Sequence, residues 1–331
     1  MSVAQSGLST INSLVFGIIS VMLNIFLIYV VRKRAARLFG AYKHTMTACA
    51  VFDIIFSVVY IICSPTFAAT PEKSALLIVN GGFEIPTTWG RSLIVVFVLL
   101  LCNSIVIPPC LFVFRYLQIC RTSYLEHHLL RYSFIVPFLI SSSICGMICF
   151  AAWPTESDIE YFTCIAYDIN VEGNFTFLVA SLQKDDTSSE KLRSDTLLAG
   201  TITVVVLLVV AMVTIILCAR RITATVKKNN SIHTRRLDMQ LRRTLFAQAA
   251  SPFLLLHLPF YVSILGPLFE ARTGEASNYF PFLFAWCPAI NPFLTLCIVT
   301  DFRHFVLSLF KRKWLKTPSA TVLRSNIVVF K

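Results

Sequence analysis

Ser92 to Phe114 is an unbroken run without a charged side chain, followed by Arg115 and a basic segment. As a helix it would span about 34 Å, enough to cross a hydrocarbon core of about 30 Å. Six further runs share this character, so the spans are placed near Ile11–Val31, Met46–Ala69, Ser92–Phe114, Ser133–Trp153, Thr196–Cys218, Thr244–Leu268 and Tyr279–Thr300. Charged residues make up 14% of the chain, against about a quarter in soluble domains, which excludes a water-soluble fold. No linker separates the runs. The expectation is one all-α membrane domain over residues 1–331, a seven-transmembrane helix bundle with residues 301–331 as a tail.

Orientation follows from the basic residues. Of 29 Lys and Arg, 23 fall after the first, third, fifth and seventh runs, whereas nine Asp and Glu lie between Pro154 and Asp195. The positive-inside rule then predicts an extracellular N-terminus and a cytoplasmic tail. Clusters that border spans read as topology determinants and as contacts for anionic membrane lipid, which argues against nucleic acid despite the net charge of +12. The first run has its flanking charges after it, as in an uncleaved signal-anchor.

Most of the eleven cysteines lie inside spans, where a thiol acts as a small apolar group. Cys164 sits in the long outer loop, with Cys63 and Cys149 as candidate partners. The same loop carries a glycosylation sequon at Asn174, whereas the match at Asn229-Asn230-Ser231 falls on the cytoplasmic side and is expected to be silent. No histidine or cysteine set has metal-ligand spacing, no span holds a lysine for a Schiff base, and no cofactor or catalytic residue is implied.

Polar residues inside spans are costly and therefore informative. Asn24, Asp53 and Asn291 fall at matching depths above the cytoplasmic face, and Asn103 lies in the middle of the third span. The expectation is an intramembrane polar network of Asn24, Asp53, Asn103 and Asn291; the alternative places Asp53 at the interface and leaves the asparagines as helix glue. Prolines interrupt the third span (Pro108, Pro109), the sixth (Pro252, Pro259, Pro267) and the seventh (Pro281, Pro288, Pro292), and Pro252 and Pro259 are candidate hinges. After the seventh span, Phe302, Phe305, Val306, Leu309 and Phe310 recur at helical spacing against Arg303, Lys311, Arg312 and Lys313, predicting an amphipathic helix on the inner leaflet.

The Asn, Asp and Asn-Pro positions resemble those of rhodopsin-class receptors, in which such a network sometimes holds sodium and rearranges on activation. Phe293-Leu294-Thr295 departs from that class, which places a tyrosine there. Gly40-Ala41-Tyr42-Lys43, Phe112-Val113-Phe114-Arg115-Tyr116, Leu241 to Gln248 leading to Pro252 and Pro259, and Pro288-Ala289-Ile290-Asn291-Pro292 followed by Asp301-Phe302-Arg303 resemble the nematode seven-transmembrane chemoreceptors of the Str superfamily. The resemblance covers Ile11 to Phe310. It implies rhodopsin-like architecture and a chemosensory, olfactory-type receptor coupled to a heterotrimeric G protein in the plasma membrane of sensory neurons, with the cilium as the candidate compartment.

Arg115, Tyr116, Arg242 and Arg243 are the candidate contacts to that G protein. The outer halves of the third, fifth, sixth and seventh spans hold no buried counter-charge apart from Arg91 at an edge, so a small, neutral, mostly apolar ligand is expected. Phe97, Phe260, Tyr261, Tyr279, Phe282 and Trp286 are its candidate lining. A second copy of the receptor is a further candidate partner. A multi-span transporter or ligand-gated channel subunit is the rival reading; against it stand the lack of internal duplication and the outward N-terminus.

Overall fold

The computed structural model describes residues 3–35, 42–70, 75–79, 86–120, 129–156, 158–160, 163, 176–181, 188–229, 232–265 and 279–315. Seven helices among them are long and apolar enough to cross a membrane. They are α1 (Val3–Val30, continued by a π turn over Val31–Ala35), α2 (Tyr42–Cys63), α3 (Thr87–Cys120), α4 (Leu129–Ala152), α5 (Ser188–Asn229), a sixth span and α8 (Phe280–Ile298). The sixth span joins α6 (Ile232–Pro252), a π segment (Phe253–His257) and α7 (Leu258–Leu265). A final helix, α9 (Thr300–Leu315), leaves the bundle at Val299.

Helix α3 is the axis. It packs on α2, α4, α5 and α6, and 56% of its most apolar window is buried, against 22% for α5. The outward face of α5 presents Val206, Val209, Val210 and Leu217, while Val204, Ala211 and Ile215 turn inward. Lipid tails solvate such a face as well as a protein core would, so it needs no covering element. At 42 residues α5 is about 63 Å long and extends well past the hydrocarbon.

The apolar run that begins at Met46 does not stay helical to Ala69. Ser64 adopts φ 36°, in the left-handed region that closes a helix, its N–H returns 2.7 Å to the Tyr60 carbonyl, and Pro65 follows. The chain then enters β1 (Thr66–Thr70), which pairs antiparallel with β2 (Ala75–Val79). From the long outer loop β3 (Phe177–Ser181) joins β2, with Val79 opposite Phe177. This small sheet is the one departure from an all-helical bundle among the described residues. It touches α3, α4, α5, α7 and α8, and every residue of β3 is buried. Gly90 at the start of α3 permits the approach, since a Cβ there would lie 2.6 Å from the Thr176 hydroxyl.

The prolines act differently from one another. Pro281 sits in the first turn of α8, where its missing N–H has no partner to lose, so it starts that helix instead of kinking it. Pro108 and Pro109 are carried within a continuous α3, and the π segment begins directly after Pro252. Pro267 lies outside the described residues. Helix α9 has the expected two faces, with Phe302 fully buried and Arg303 exposed. It docks beneath α1, where Tyr29 lies 6.3 Å from the Phe305 ring and the Arg34 guanidinium stands 4.6 Å over it.

Candidate functional site

Helix α8 supplies the starting point. Pro292 has no N–H to return to the carbonyl of residue 288, so that oxygen is free to accept from another helix. Asn24 of α1 takes it, its Nδ2 lying 3.1 Å from the Pro288 carbonyl and 3.0 Å from the Ser20 carbonyl. Ser20 Oγ is 2.7 Å from Ser57 Oγ on α2, and Ser57 in turn reaches the Asp53 carbonyl at 2.7 Å. The Asn291 amide then closes on the Asp53 carboxylate, with Nδ2 at 3.3 and 3.5 Å from its two oxygens. Helices α1, α2 and α8 therefore share one polar seam.

The seam continues into the sixth span. Thr295 Oγ1 donates to the Asn291 carbonyl, and Gln248 of α6 donates to Thr295 Oγ1 at 2.9 Å. About two turns along α6, Gln240 donates to Thr300 Oγ1 at 2.8 Å and accepts from the Thr300 N–H at 3.2 Å. Asp53, Asn291, Gln248 and Ser104 face a cavity of about 50 Å³ walled by Phe52, Phe56, Leu111, Pro252, Leu256 and Pro288. A few waters fit such a space, and the Oδ1 of Asn291, which has no protein partner among the described residues, is an acceptor for one.

At the outer end of that cavity, His257 links the sixth span to α3. The Ser104 hydroxyl donates to the Leu101 carbonyl at 2.6 Å, so the ring donates through Nε2 to the Ser104 oxygen at 2.9 Å. In the neutral ring, Nδ1 is then a buried acceptor with no protein partner among the described residues. Tyr261 stacks on the same ring at 6.3 Å.

Asn103 does not join the network. Its amide returns to the Leu99 carbonyl at 2.9 Å, one turn back on its own helix, and its side chain lies on the face of α3 toward α2 and α4. It was grouped with the others as a polar residue inside a span; its angular position around α3 separates it.

The six aromatics also divide. Phe97 is buried against Phe56 and Tyr60, with ring centroids 6.1 and 5.9 Å apart, and Phe260 is buried edge-on to Tyr261 at 5.5 Å. Tyr279, Phe282 and Trp286 recur every three to four residues on another face of α8. Trp286 meets Phe16 of α1 at 5.0 Å and donates Nε1 to Asn12, which itself donates to the Phe282 carbonyl, and Tyr279 is 57% exposed. These three belong to the α1–α8 contact and the surface, not to one interior cluster with Phe97. Tyr60, not singled out from sequence, is interior: its hydroxyl donates to the Pro281 carbonyl at 2.6 Å. Ser20, Ser57, Gln248 and Thr295 were likewise missed. For Ser20, Ser57 and Thr295 the signal was spacing, since Ser20–Asn24, Asp53–Ser57 and Asn291–Thr295 each sit one helical turn apart.

A model of the serpentine type 7TM GPCR chemoreceptor Str family matches residues 9–307. The chain belongs to that family. Among its relatives, the G-protein coupled receptor str-33 of Caenorhabditis elegans is 25% identical, the match covering 87% of this chain and 86% of that protein. The serpentine receptor class r-10 of Caenorhabditis briggsae is 24% identical over 92% of this chain and 91% of its own. Among solved structures, squid rhodopsin superposes with a TM-score of 0.60 at 18% identity, covering 96% of this chain and 88% of that one, which shows the fold. The Str chemoreceptor is thus a multi-pass membrane receptor and not an enzyme.

In the receptor's inner half, Phe112 of α3 meets Phe246 of α6 edge-on at 5.0 Å. Arg115 donates to Gln118 on its own helix at 2.9 Å, and Tyr116 is half-buried. Arg242 reaches Thr223 of α5, while Arg243 is exposed. Asn174 and Cys164 lie outside the described residues; Cys63 and Cys149 are both unbridged, and Cys149 Sγ lies 3.7 Å from Cys145 Sγ.

Proposed function

We propose that this receptor binds a small, neutral, mostly apolar ligand between the outer halves of its helices and signals to a heterotrimeric G protein at its cytoplasmic face. The observation that carries the reading is the placement of His257. It stands between a buried aromatic cluster above and the polar seam below, with one ring nitrogen tied to α3 and the other without a protein partner among the described residues. A ligand wedged among Phe97, Phe260, Tyr261 and Tyr60 competes with the packing that holds the sixth span against α3. Displacement of that span would break the Gln248–Thr295 and Gln240–Thr300 links and separate its cytoplasmic end from α3.

The π segment after Pro252 supports this hinge, since such segments weaken the local hydrogen-bond ladder of a helix. Arg115, Tyr116, Arg242 and Arg243 at the cytoplasmic ends of α3 and α6 are the residues we assign to G-protein contact. The basic inner connectors support an extracellular N-terminus and residence in the plasma membrane, with the sensory cilium as the working compartment. Membership in a chemoreceptor family weighs against the transporter or channel alternative.

The test is a screen of neutral volatile ligands against cells expressing the receptor, read by cytoplasmic second messenger. Arg115→Ala is expected to abolish the response with surface delivery intact. A ligand-evoked current that persists without any G protein would overturn the assignment.

A further inference from the structure

Asn103 is left over from the seam, and what it faces carries an inference of its own. A groove of about 230 Å³ lies between α2, α3 and α4, lined by Ala48, Cys49, Phe52, Asn103, Ile107, Cys110, Pro137 and Phe138. Phe138 is 52% exposed, so the groove adjoins the surface that lipid wets. Its size exceeds the roughly 150 Å³ of an apolar protein cavity known to accept benzene.

Asn103 is the one amide in that wall among the described residues. The side chain is about nine-tenths buried, its Nδ2 is committed to the Leu99 carbonyl, and its Oδ1 has no protein partner among the described residues. The Leu99 bond uses one of the two Nδ2 hydrogens and fixes which way the amide is turned, so Oδ1 is the acceptor that this wall offers. An acyl chain filling the groove would leave that oxygen unpaired in hydrocarbon, which is unfavourable. A molecule with an apolar body and a hydroxyl would fill the space and donate to Asn103 at once. A charged amphiphile fits poorly, because no charged side chain among the described residues lines the groove.

We propose that this groove is a second binding site, entered sideways from the bilayer, for a membrane-dissolved neutral alcohol whose hydroxyl donates to Asn103 Oδ1. It is separate from the interhelical ligand region and does not depend on that region being correct. Cys49, Phe52 and Ile107 also line the central cavity, so an occupant here presses on the residues flanking Asp53.

The experiment uses the full-length receptor in lipid nanodiscs and a long-chain 1-alkanol carrying a mid-chain diazirine. Labelled peptides are mapped by mass spectrometry, and competition is compared between the unlabelled alkanol and the alkane of matching length. Labels are expected on the α2, α3 and α4 segments that hold Phe52, Ile107 and Phe138. The alkanol should compete about tenfold better than the alkane, and Asn103→Leu should erase that difference while still labelling. Because Asn103→Leu removes a polar group from an apolar wall, it is expected to fold, and a thermal unfolding curve checks this. Ala48→Phe, which fills the groove from α2, should abolish labelling in the folded protein. Equal competition by alkane and alkanol in the wild type, or labels confined to other helices, would overturn the proposal.

Discussion

The outer and inner halves of this bundle are held together by different means. In the outer half, Phe56, Tyr60, Phe97, Phe260 and Phe284 pack with Ile78 and Leu178, so the sheet is part of the same apolar cluster as the helices it caps. In the inner half, Phe112, Leu241, Leu245 and Phe302 form a second cluster, and the Asn24–Asp53–Asn291–Gln248 seam runs between the two. Apolar packing tolerates changes of shape at modest cost, whereas hydrogen bonds in a low-dielectric interior are either made or broken. The first suits a surface that adapts to a ligand, and the second suits an element with two discrete arrangements.

The contrast can be broken by substitution. Phe97→Ala, which empties the centre of the outer cluster, should cost about 3–5 kcal/mol and be read as a large fall in thermal unfolding temperature of the purified receptor. Were it nearly neutral, the outer half would not be a close-packed core. Asn291→Ala removes the one side-chain partner that the Asp53 carboxylate has among the described residues. A loss of about 1–3 kcal/mol is expected, reduced when Asp53→Leu is made in the same chain. Gln248→Ala should cost about 1 kcal/mol in stability but raise signalling in the absence of ligand, because it frees the sixth span from α8. Stability loss with unchanged basal signalling would make that bond architectural only.

Much of this was legible in the sequence, and what was not has identifiable causes. Seven apolar runs and the cationic connectors gave the span count, and counting residues from span ends put Asn24, Asp53 and Asn291 at one depth. Asn103 and Trp286 show what such counting leaves out. Periodicity shows which residues share a helix face, but in a bilayer the lipid-facing side is as apolar as the core, so it does not show which face turns inward. Trp286 and Phe97 therefore looked alike. The sheet escaped for another reason: Thr66–Ala69 reads as the end of the second span and Phe177–Ser181 as part of a long loop, and only pairing through β2 makes them strands. Pro65 was the available signal that α2 had ended.

The central claim is that Pro292 frees a carbonyl that Asn24 captures, tying α1 to α8 in the seam. A double-mutant cycle on thermal stability tests it directly. Asn24→Ala should cost about 1–2 kcal/mol in the wild type. It should cost almost nothing once Pro292→Ala gives the helix back its own donor to residue 288, a coupling of about 1 kcal/mol or more. If the two substitutions instead add, the bond contributes nothing specific and the seam does not begin where this account places it.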